Sequence, residues 1–296
     1  MKQIKTKSLK QQLQQAAVLA HGSAKTEHDR KVNINRFFNY LKSNNIQIRD
    51  MSQIKGKYIK GYIEGRLKKG IGKRTLQNEM AAIRQSLRAV GRDKLADSES
   101  ISNKALNLSG ASRAGTKRAI TDSEYQHIYH KALKTCPTIA AGMELGRALG
   151  LRGEEVVQSC QSLKTWKKAL EQDKTKLNIV FGTKGGRPRE TIIINRERAL
   201  NAVNTALHFT EQQNGRLIDK PNLKQAMNHW HYHCRALGLK GEIAPHSLRY
   251  AFAQQATEHY IEQGYSQQEA LALTSMDLGH GDGRGRYIKS TYILNA

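Results

Sequence analysis

Apolar residues along the chain recur mainly at the three- and four-residue spacing of amphipathic α-helices. In residues 75–90 the apolar side chains are separated by four, three, four and three positions, and Gly91 then ends the pattern. Capping boxes at residues 121–124 and 266–269 mark the starts of two later helices. Helices are predicted over residues 121–133, 138–149, 197–212, 223–237, 246–263 and 266–278.

Two short segments depart from the helical pattern. Residues 177–181 and 190–194 are apolar and rich in β-branched types, and the glycine-rich residues 182–188 lie between them. This order predicts a hairpin with Lys184 at its turn. The fold class that follows is mainly α with a small antiparallel β-sheet.

A chain of 296 residues is long enough for two domains that each bury a core. Residues 96–118 are rich in small and polar types and lack an apolar period, which is typical of a linker. We therefore predict a helical domain over residues 1–95 and a second domain over residues 119–296.

Basic residues strongly outnumber acidic ones. The chain has 49 Lys and Arg against 25 Asp and Glu, a formal net charge of +24. Residues 1–118 hold 26 basic and 8 acidic side chains, a net +18, which leaves +6 for the remaining 178 residues. Such an excess indicates a polyanionic partner, either nucleic acid or an acidic membrane surface. The candidate phosphate contacts in the first domain are Lys55, Lys57, Lys68, Lys69, Lys73, Arg74, Arg84 and Arg88.

Other features narrow the class of protein. No stretch approaches the roughly 20 apolar residues of a membrane span, and the N-terminus lacks the apolar segment of a secretory signal. We therefore expect a soluble, cytoplasmic protein. Three widely spaced cysteines predict free thiols in a reducing compartment. His229 and His233 share a helix face, but no third ligand is near in sequence, so no metal site is expected.

Several polar residues in the second half of the chain suit an attack on a phosphodiester. Arginine and lysine bind and neutralise phosphate, histidine moves protons, and a phenol can act as the nucleophile. The candidate catalytic residues are Arg152, Glu155, Lys184, His246, Arg249, His280 and Tyr292.

The strings around these residues strengthen that interpretation. They read Gly-Leu-Arg-Gly-Glu-Glu over residues 150–155, Pro-His-Ser-Leu-Arg over 245–249, Leu-Gly-His over 278–280 and Ser-Thr-Tyr over 290–292. In this order they resemble the tyrosine recombinases, the phage integrase family. The resemblance covers about residues 119–296 motif by motif, and it extends to the first domain by size, charge and position.

The resemblance implies roles for the residues that surround the phosphate. Arg152, Arg249 and His280 would stabilise its charge, and Glu155 would orient the site. His246 would handle a proton. His246 and Arg249 also share one face at the start of a helix, where backbone amides favour phosphate.

The proton donor and the nucleophile each have an alternative. In the family a lysine on a hairpin protonates the departing 5′ oxygen, which implies this role for Lys184. Arg187 and Arg189 are the neighbouring candidates, but an arginine is a poor proton donor because its pKa exceeds about 12. Tyr292 matches the family's tyrosine string and is the predicted nucleophile, whereas Tyr287 also follows the last histidine.

The function implied by the resemblance is site-specific DNA recombination. Residues 1–95 would be a core-binding domain and residues 119–296 the catalytic domain of a two-domain DNA clamp. Strands would be cleaved through a 3′-phosphotyrosyl intermediate and exchanged between two duplex sites by a homo-tetramer, with DNA-bending accessory proteins as further partners. No cofactor is implied, and the gene would belong to a phage or another mobile element.

Three other functions remain open at this point. A type IB topoisomerase would use the same chemistry without a specific site. A non-catalytic protein on the same scaffold would bind DNA without forming an adduct. An RNA-binding protein would rely on aromatic stacking, which an aromatic content of 6% supports poorly.

Overall fold

The computed structural model describes residues 7–111 and 117–293. The chain forms two compact units, Met1–Ser112 and Arg113–Ala296, and each has its own hydrophobic core. Within the described ranges, no helix is both long enough and apolar enough to cross a membrane.

The first unit is a bundle of helices. They are α1 (Leu9–Leu19), α2 (Ala24–Ser43), α3 (Gly56–Lys68), α4 (Lys73–Arg88) and the short α5 (Asp93–Ala96). Helix α4 begins two residues before the predicted start and buries Leu76, Met80, Ile83 and Leu87, which are apolar residues of the predicted stripe. These side chains share a core with Phe37 of α2, so burial of this stripe holds α4 against the bundle.

The first half of the predicted linker over residues 96–118 packs on the first unit. Apolar side chains of residues 96–108 enter the core of that unit. The buried ones are Ala96, Ile101, Leu106 and Leu108. Their irregular spacing gives no helical period, so the sequence pattern did not reveal their burial. Residues 112–116 of the predicted linker lie outside the described residues.

The second unit is helical with one small sheet, which confirms the predicted fold class. Its helices are α6 (Asp122–Thr135), α7 (Pro137–Leu149), α8 (Gly153–Val157), α9 (Leu163–Glu171), α10 (Arg196–Gln212), α11 (Leu223–Leu237), α12 (Ser247–Glu262), α13 (Gln267–Asp277) and α14 (Gly285–Ile288). Both predicted capping boxes are present, at the starts of α6 and α13. Helix α7 packs against α10 and α12 at the centre of this unit.

The sheet is the predicted antiparallel hairpin. Strands β1 (Lys176–Ile179) and β2 (Arg189–Ile192) pair so that Ile179 lies opposite Arg189. Gly182, with φ +73°, lies in the loop between them, and a Cβ there would be 2.5 Å from the backbone oxygen of Glu154. The hairpin can approach α8 this closely because the loop has glycine at that position.

A glycine also ends α7, directly before the predicted catalytic segment. Gly150 adopts the left-handed conformation, with φ +61°, and a Cβ there would clash with the ring of Phe252. The sharp turn that follows places Arg152 at the N-cap of α8 and Glu155 one turn further on.

Candidate active site

Glu155 is at the centre of a cluster of charged side chains in the second unit, and it is 1% exposed. Arg152 donates to it from the backbone N–H over 2.8 Å and from Nη1 over 2.7 Å. Arg189 donates from Nη2 over 2.7 Å and from Nε over 3.2 Å. Nη1 of Arg249 lies 3.7 Å from Oε2. Three arginines therefore share one carboxylate.

This arrangement keeps Glu155 ionised. Burial alone would raise its pKa, but the hydrogen bond from Arg189 and the charges of Arg189 and Arg249 outweigh burial and lower the pKa of Glu155 to about 2. Three guanidinium groups then face one carboxylate, a surplus of two positive charges. Such a surplus suits the binding of an anion such as a phosphate group.

Two backbone carbonyls fix the guanidinium groups in place. Arg249 is fully buried and donates from Nη1 to the oxygen of Gly150 and from Nη2 to the oxygen of Leu278. The oxygen of Leu278 also accepts a 2.9 Å hydrogen bond from Nη2 of Arg152. Nε of Arg249 has no hydrogen-bond partner among the described residues. The Nε–H of Arg249 is therefore a buried donor that its described neighbours leave unused.

The hydroxyl of Tyr292 lies between two imidazoles. Tyr292 belongs to a π-helical turn, Lys289–Ile293, that follows α14. The residue is 3% exposed. Its hydroxyl is 3.3 Å from Nε2 of His246 and 3.1 Å from Nε2 of His280. A phenol has one hydrogen, so when both hydrogen bonds form one imidazole accepts and the other donates.

Both histidines are neutral at pH 7. Burial, followed by the charges of Arg249 and Arg152, lowers the pKa of His246 to about 4. The same causes, with smaller effects of His246 and Lys184, lower the pKa of His280 to about 3. A neutral imidazole can accept the phenol proton, whereas a protonated one cannot.

Tyr287 has a different environment from Tyr292. Its ring packs edge-on against His280 with centroids 5.0 Å apart, and 36% of the residue is exposed. The ring of Tyr292 also meets His280 edge-on, and in addition it packs on the buried ring of Tyr250, with centroids 4.4 Å apart. The structure therefore places the Tyr292 hydroxyl, and not that of Tyr287, in hydrogen-bond contact with the histidines.

Lys184 is exposed at the hairpin turn and lines a cleft of about 670 Å³. Arg152 and His280 line the same cleft. The structure thus brings all seven predicted catalytic residues into one region of the second unit, although their roles remain predictions.

The predicted phosphate contacts of the first unit fall into separate groups. Lys55 and Lys57 lie at the start of α3. Four exposed cations surround the turn between α3 and α4: Lys68, Lys69, Lys73 and Arg74. Because α3 is 13 residues long, its two ends are about 20 Å apart.

Arg84 and Arg88 contact residues of the same unit. Nη2 of Arg84 donates to the oxygen of Ile101 over 2.6 Å, and Arg88 forms an ion pair with Asp97. Both arginines lie on the polar face of α4, and the side chain of Arg88 is 35% exposed. Phosphate contact by these two arginines stays a prediction.

Two histidines of α11 lie close together. His229 and His233 stack with ring centroids 4.1 Å apart, and Cys136 contacts His233 with Sγ 3.1 Å from Nδ1. Across the described parts of the chain, no group of three or more His, Cys, Asp or Glu side chains could hold a metal ion.

Two family models match the sequence. The one described as "Integrase" matches residues 107–255, half of the chain, and the one described as "Phage integrase, N-terminal" matches residues 6–96. The chain belongs to the phage integrase family of tyrosine recombinases. It is accordingly an enzyme that breaks and rejoins DNA.

Solved structures share the fold of this recombinase. A lambda integrase tetramer bound to a Holliday junction has a TM-score of 0.61 at 17% identity, over 96% of this chain and 78% of that one. The Tn1549 transposon integrase in complex with transposon right end DNA has a TM-score of 0.57 at 14% identity, over 96% of this chain and 94% of that one. No curated protein sequence matches this recombinase.

Arg189 is the site residue whose position the sequence did not reveal. The sequence pattern makes it an alternative to Lys184 on the hairpin. In the structure Arg189 is buried at the start of β2 and contacts Glu155. It also lines the cleft. The alternation of β2 contained a signal, because Arg189 and Thr191 occupy the buried positions that apolar residues usually fill.

The lowered pKa values of the site histidines predict a loss of stability of the recombinase in acid. An unfolded chain binds a proton on imidazole below about pH 6.5, whereas folded His246 has a pKa of about 4. The stabilising contribution is therefore present above about pH 6.5 and is lost as the pH falls towards 4. It amounts to an upper bound of about 3 kcal/mol, since one pKa unit corresponds to about 1.4 kcal/mol.

Denaturant unfolding between pH 7 and pH 4 measures this effect. His246→Asn should flatten the fall in the free energy of unfolding, because an uncharged side chain has no proton to gain. His231→Asn, at an exposed position of α11, is the control and should leave the fall unchanged. An acid profile that is the same in His246→Asn and the wild type would contradict the assignment.

Proposed function

We propose that this enzyme is a site-specific recombinase that cuts DNA through a covalent 3′-phosphotyrosyl intermediate on Tyr292. The observation that carries the proposal is the position of the Tyr292 hydroxyl between His246 and His280. Both histidines contact the same hydroxyl, and Arg152 and Arg249 lie next to them.

The cleavage step follows from these positions. The phenol oxygen of Tyr292 forms a bond to phosphorus, and the bond from phosphorus to the 5′ oxygen of the next nucleotide breaks. His246, neutral at pH 7, accepts the phenol proton, and Lys184 gives a proton to the departing oxygen. Rejoining is the reverse, with a 5′ hydroxyl attacking the phosphotyrosine. Because the covalent bond retains the energy of the phosphodiester, the scheme has no need of ATP.

The remaining site residues stabilise the charge that develops on the phosphate. Arg152 and Arg249 are held by Glu155 and by backbone carbonyls, so they need no rearrangement as the charge grows. His280 donates its Nε2–H towards the phosphate once the phenol oxygen has moved to phosphorus. Glu155 orients the arginines and takes no part in proton transfer, because its pKa of about 2 keeps it ionised.

The partner that we propose is duplex DNA with a recombination site, bound by both units. The net charge of +24, concentrated in the first 118 residues, supports this partner. The similar lambda integrase forms a tetramer on a Holliday junction, and we propose that four copies of this chain likewise assemble on two sites and exchange strands. We further propose that accessory DNA-bending proteins assist and that the enzyme acts in the cytoplasm of a cell that carries a mobile element.

The exposed cations at the turn between α3 and α4 should supply part of the DNA affinity. Replacing Lys68 and Lys69 together by glutamine should lower the slope of log affinity against log salt by about 1.8, since each neutralised phosphate contributes about 0.9. Binding titrations between low and moderate salt measure the slope. A double variant of equal charge change, Lys131→Gln with Lys134→Gln on α6, is the control. Equal loss of slope in both would mean that only net charge matters.

A covalent-trapping assay tests the proposed chemistry. The enzyme is incubated with nicked duplex fragments of its source DNA, with and without EDTA, and denatured with SDS. We expect a protein–DNA adduct in both samples, a free 5′ hydroxyl on the released strand, and one dominant position among sequenced adducts. Tight binding without any adduct would refute the proposal.

A second assay separates recombination from topoisomerase activity. Two plasmids with the trapped sequence should exchange strands, whereas an unrelated supercoiled plasmid should stay supercoiled. Relaxation of the unrelated plasmid at a comparable rate would instead identify a type IB topoisomerase.

A further inference from the structure

Arg189 connects three segments of the chain that carry site residues. From the start of β2 it reaches Glu155 with two hydrogen bonds, of 2.7 Å and 3.2 Å. Its Nη2 also donates to the oxygen of Gly150 over 3.2 Å, and its Nη1 donates to the oxygen of Asp277. One side chain thus joins the hairpin strand to the end of α7, to α8 and to the end of α13.

The aliphatic part of Arg189 is also closely packed. Gly279, with φ +64°, lies against the stem of the arginine, and a Cβ there would be 2.7 Å from Cδ of Arg189. His280 follows Gly279 directly in the chain. The turn that carries His280 therefore packs directly against the aliphatic part of the Arg189 side chain.

A guanidinium at this position is hard to explain by stability alone. Arg189 adds a third positive charge around one carboxylate. Burial, followed by the charge of Arg189, lowers the pKa of Arg249. Buried ion pairs are often replaced by apolar side chains of similar volume without loss of stability. The fork of N–H donors does, however, hold several acceptors in one fixed geometry, which neither an apolar side chain nor a lysine can do.

We propose that Arg189 is a positioning residue that fixes the Lys184 hairpin relative to Arg152 and His280. The inference rests on the proposed function, in which Lys184 protonates the departing 5′ oxygen while Arg152 and His280 bind the phosphate. Arg189 lies five residues after Lys184, and its side chain contacts the segments from which Arg152 and His280 project. Loss of this connection displaces the proton donor from the leaving oxygen.

The test compares Arg189→Met and Arg189→Lys with the wild type and with Arg147→Met. Arg147 is a matched control, since it is a buried arginine of the same unit that donates to Asp122 and Gln255 outside the site. The measurements are the single-turnover rate of adduct formation, the DNA affinity and the melting temperature. We expect Arg189→Met to lower the rate about 100-fold, the typical effect of a displacement of about 1 Å, with affinity within about threefold.

Arg189→Lys retains the charge but loses the fork, so its rate should stay at least about tenfold below that of the wild type. If Arg189→Met fails to fold, the rate of Arg189→Lys alone decides the test. Arg147→Met should form the adduct within about threefold of the wild-type rate, whatever its melting temperature. Rates in both Arg189 variants that match that of Arg147→Met would overturn the inference.

A modified substrate distinguishes positioning from a general structural effect. When sulfur replaces the departing 5′ oxygen, the leaving thiolate needs no proton, because a thiol has a pKa of only about 8.5. The defect of each Arg189 variant should then shrink by about tenfold relative to the oxygen substrate, as should that of Lys184→Met. An equal defect on both substrates would overturn the inference. Failure of the wild type to form any adduct would instead refute the proposed function.

Discussion

Replacing Tyr292 by phenylalanine is expected to abolish the covalent DNA adduct. The substitution removes one oxygen, the proposed nucleophile, and leaves the ring that packs on Tyr250. Adduct formation should fall by at least about 10⁴-fold, because no other group replaces a missing nucleophile. DNA affinity and melting temperature should remain close to those of the wild type, since among the described residues the hydroxyl hydrogen-bonds to the two site histidines.

Tyr287→Phe is the matched control for this experiment. Tyr287 lies in the same segment and also packs on His280, but its ring is partly exposed. Its variant should form adduct within about threefold of the wild-type rate, as expected for a side chain outside the reaction. SDS gels with end-labelled nicked DNA measure both variants. An adduct that is lost in Tyr287→Phe and kept in Tyr292→Phe would move the nucleophile to Tyr287.

Replacing Arg249 by alanine is expected to separate cleavage from binding. Arg249 is fully buried beside Glu155, so it adds nothing to the exposed basic surface that attracts DNA. Its proposed role is to stabilise the negative charge that develops on the phosphate. Loss of such a donor should lower the cleavage rate by about 1000-fold. Affinity for DNA should stay within about threefold, because it depends chiefly on the exposed cations.

Single-turnover cleavage and equilibrium binding at one salt concentration measure the two effects of Arg249→Ala. Arg198→Ala is a suitable control, since this partly buried arginine pairs with Glu144 in the same unit. It tests whether any lost arginine ion pair would slow the enzyme. Parallel losses of cleavage and affinity in Arg249→Ala would reduce Arg249 to a binding contact.

Local patterns predicted α4 and the longer helices of the second unit, because each depends on nearby residues. The stripe of α4 and the capping boxes of α6 and α13 are set by spacings of three and four positions, and the structure shows all of them. Helix α9 was not predicted, although it buries Leu163, Trp166 and Leu170 at helical spacing. It is only nine residues long, which leaves little periodicity to detect.

Features that depend on distant contacts were harder to predict. The return of residues 96–108 to the first unit is decided by burial of irregularly spaced apolar side chains in a core that other helices build. That return also gives Arg84 and Arg88 partners within the unit, Ile101 and Asp97, which their helical spacing did not predict. Spacing locates a polar face, but it does not show what covers that face.

The candidate site shows the same limit. The motifs identified individual residues, and the resemblance to a family suggested their roles. The position of Arg189 required knowledge that β2, α8 and the end of α13 meet around Glu155. A buried charge is stable only with partners, and these partners lie 34 and 88 residues away in the chain.

The surplus of positive charge around Glu155 links folding to reactivity. In the absence of DNA the three guanidinium groups repel one another, and this repulsion makes the folded domain less stable than a balanced cluster would. In the proposed cleavage, negative charge grows on the non-bridging oxygens of the phosphate beyond that of the ground state, so relief of the repulsion would be greatest at the transition state. The domain thus gives up part of its folding stability to hold, before any substrate arrives, the electric field that the reaction requires.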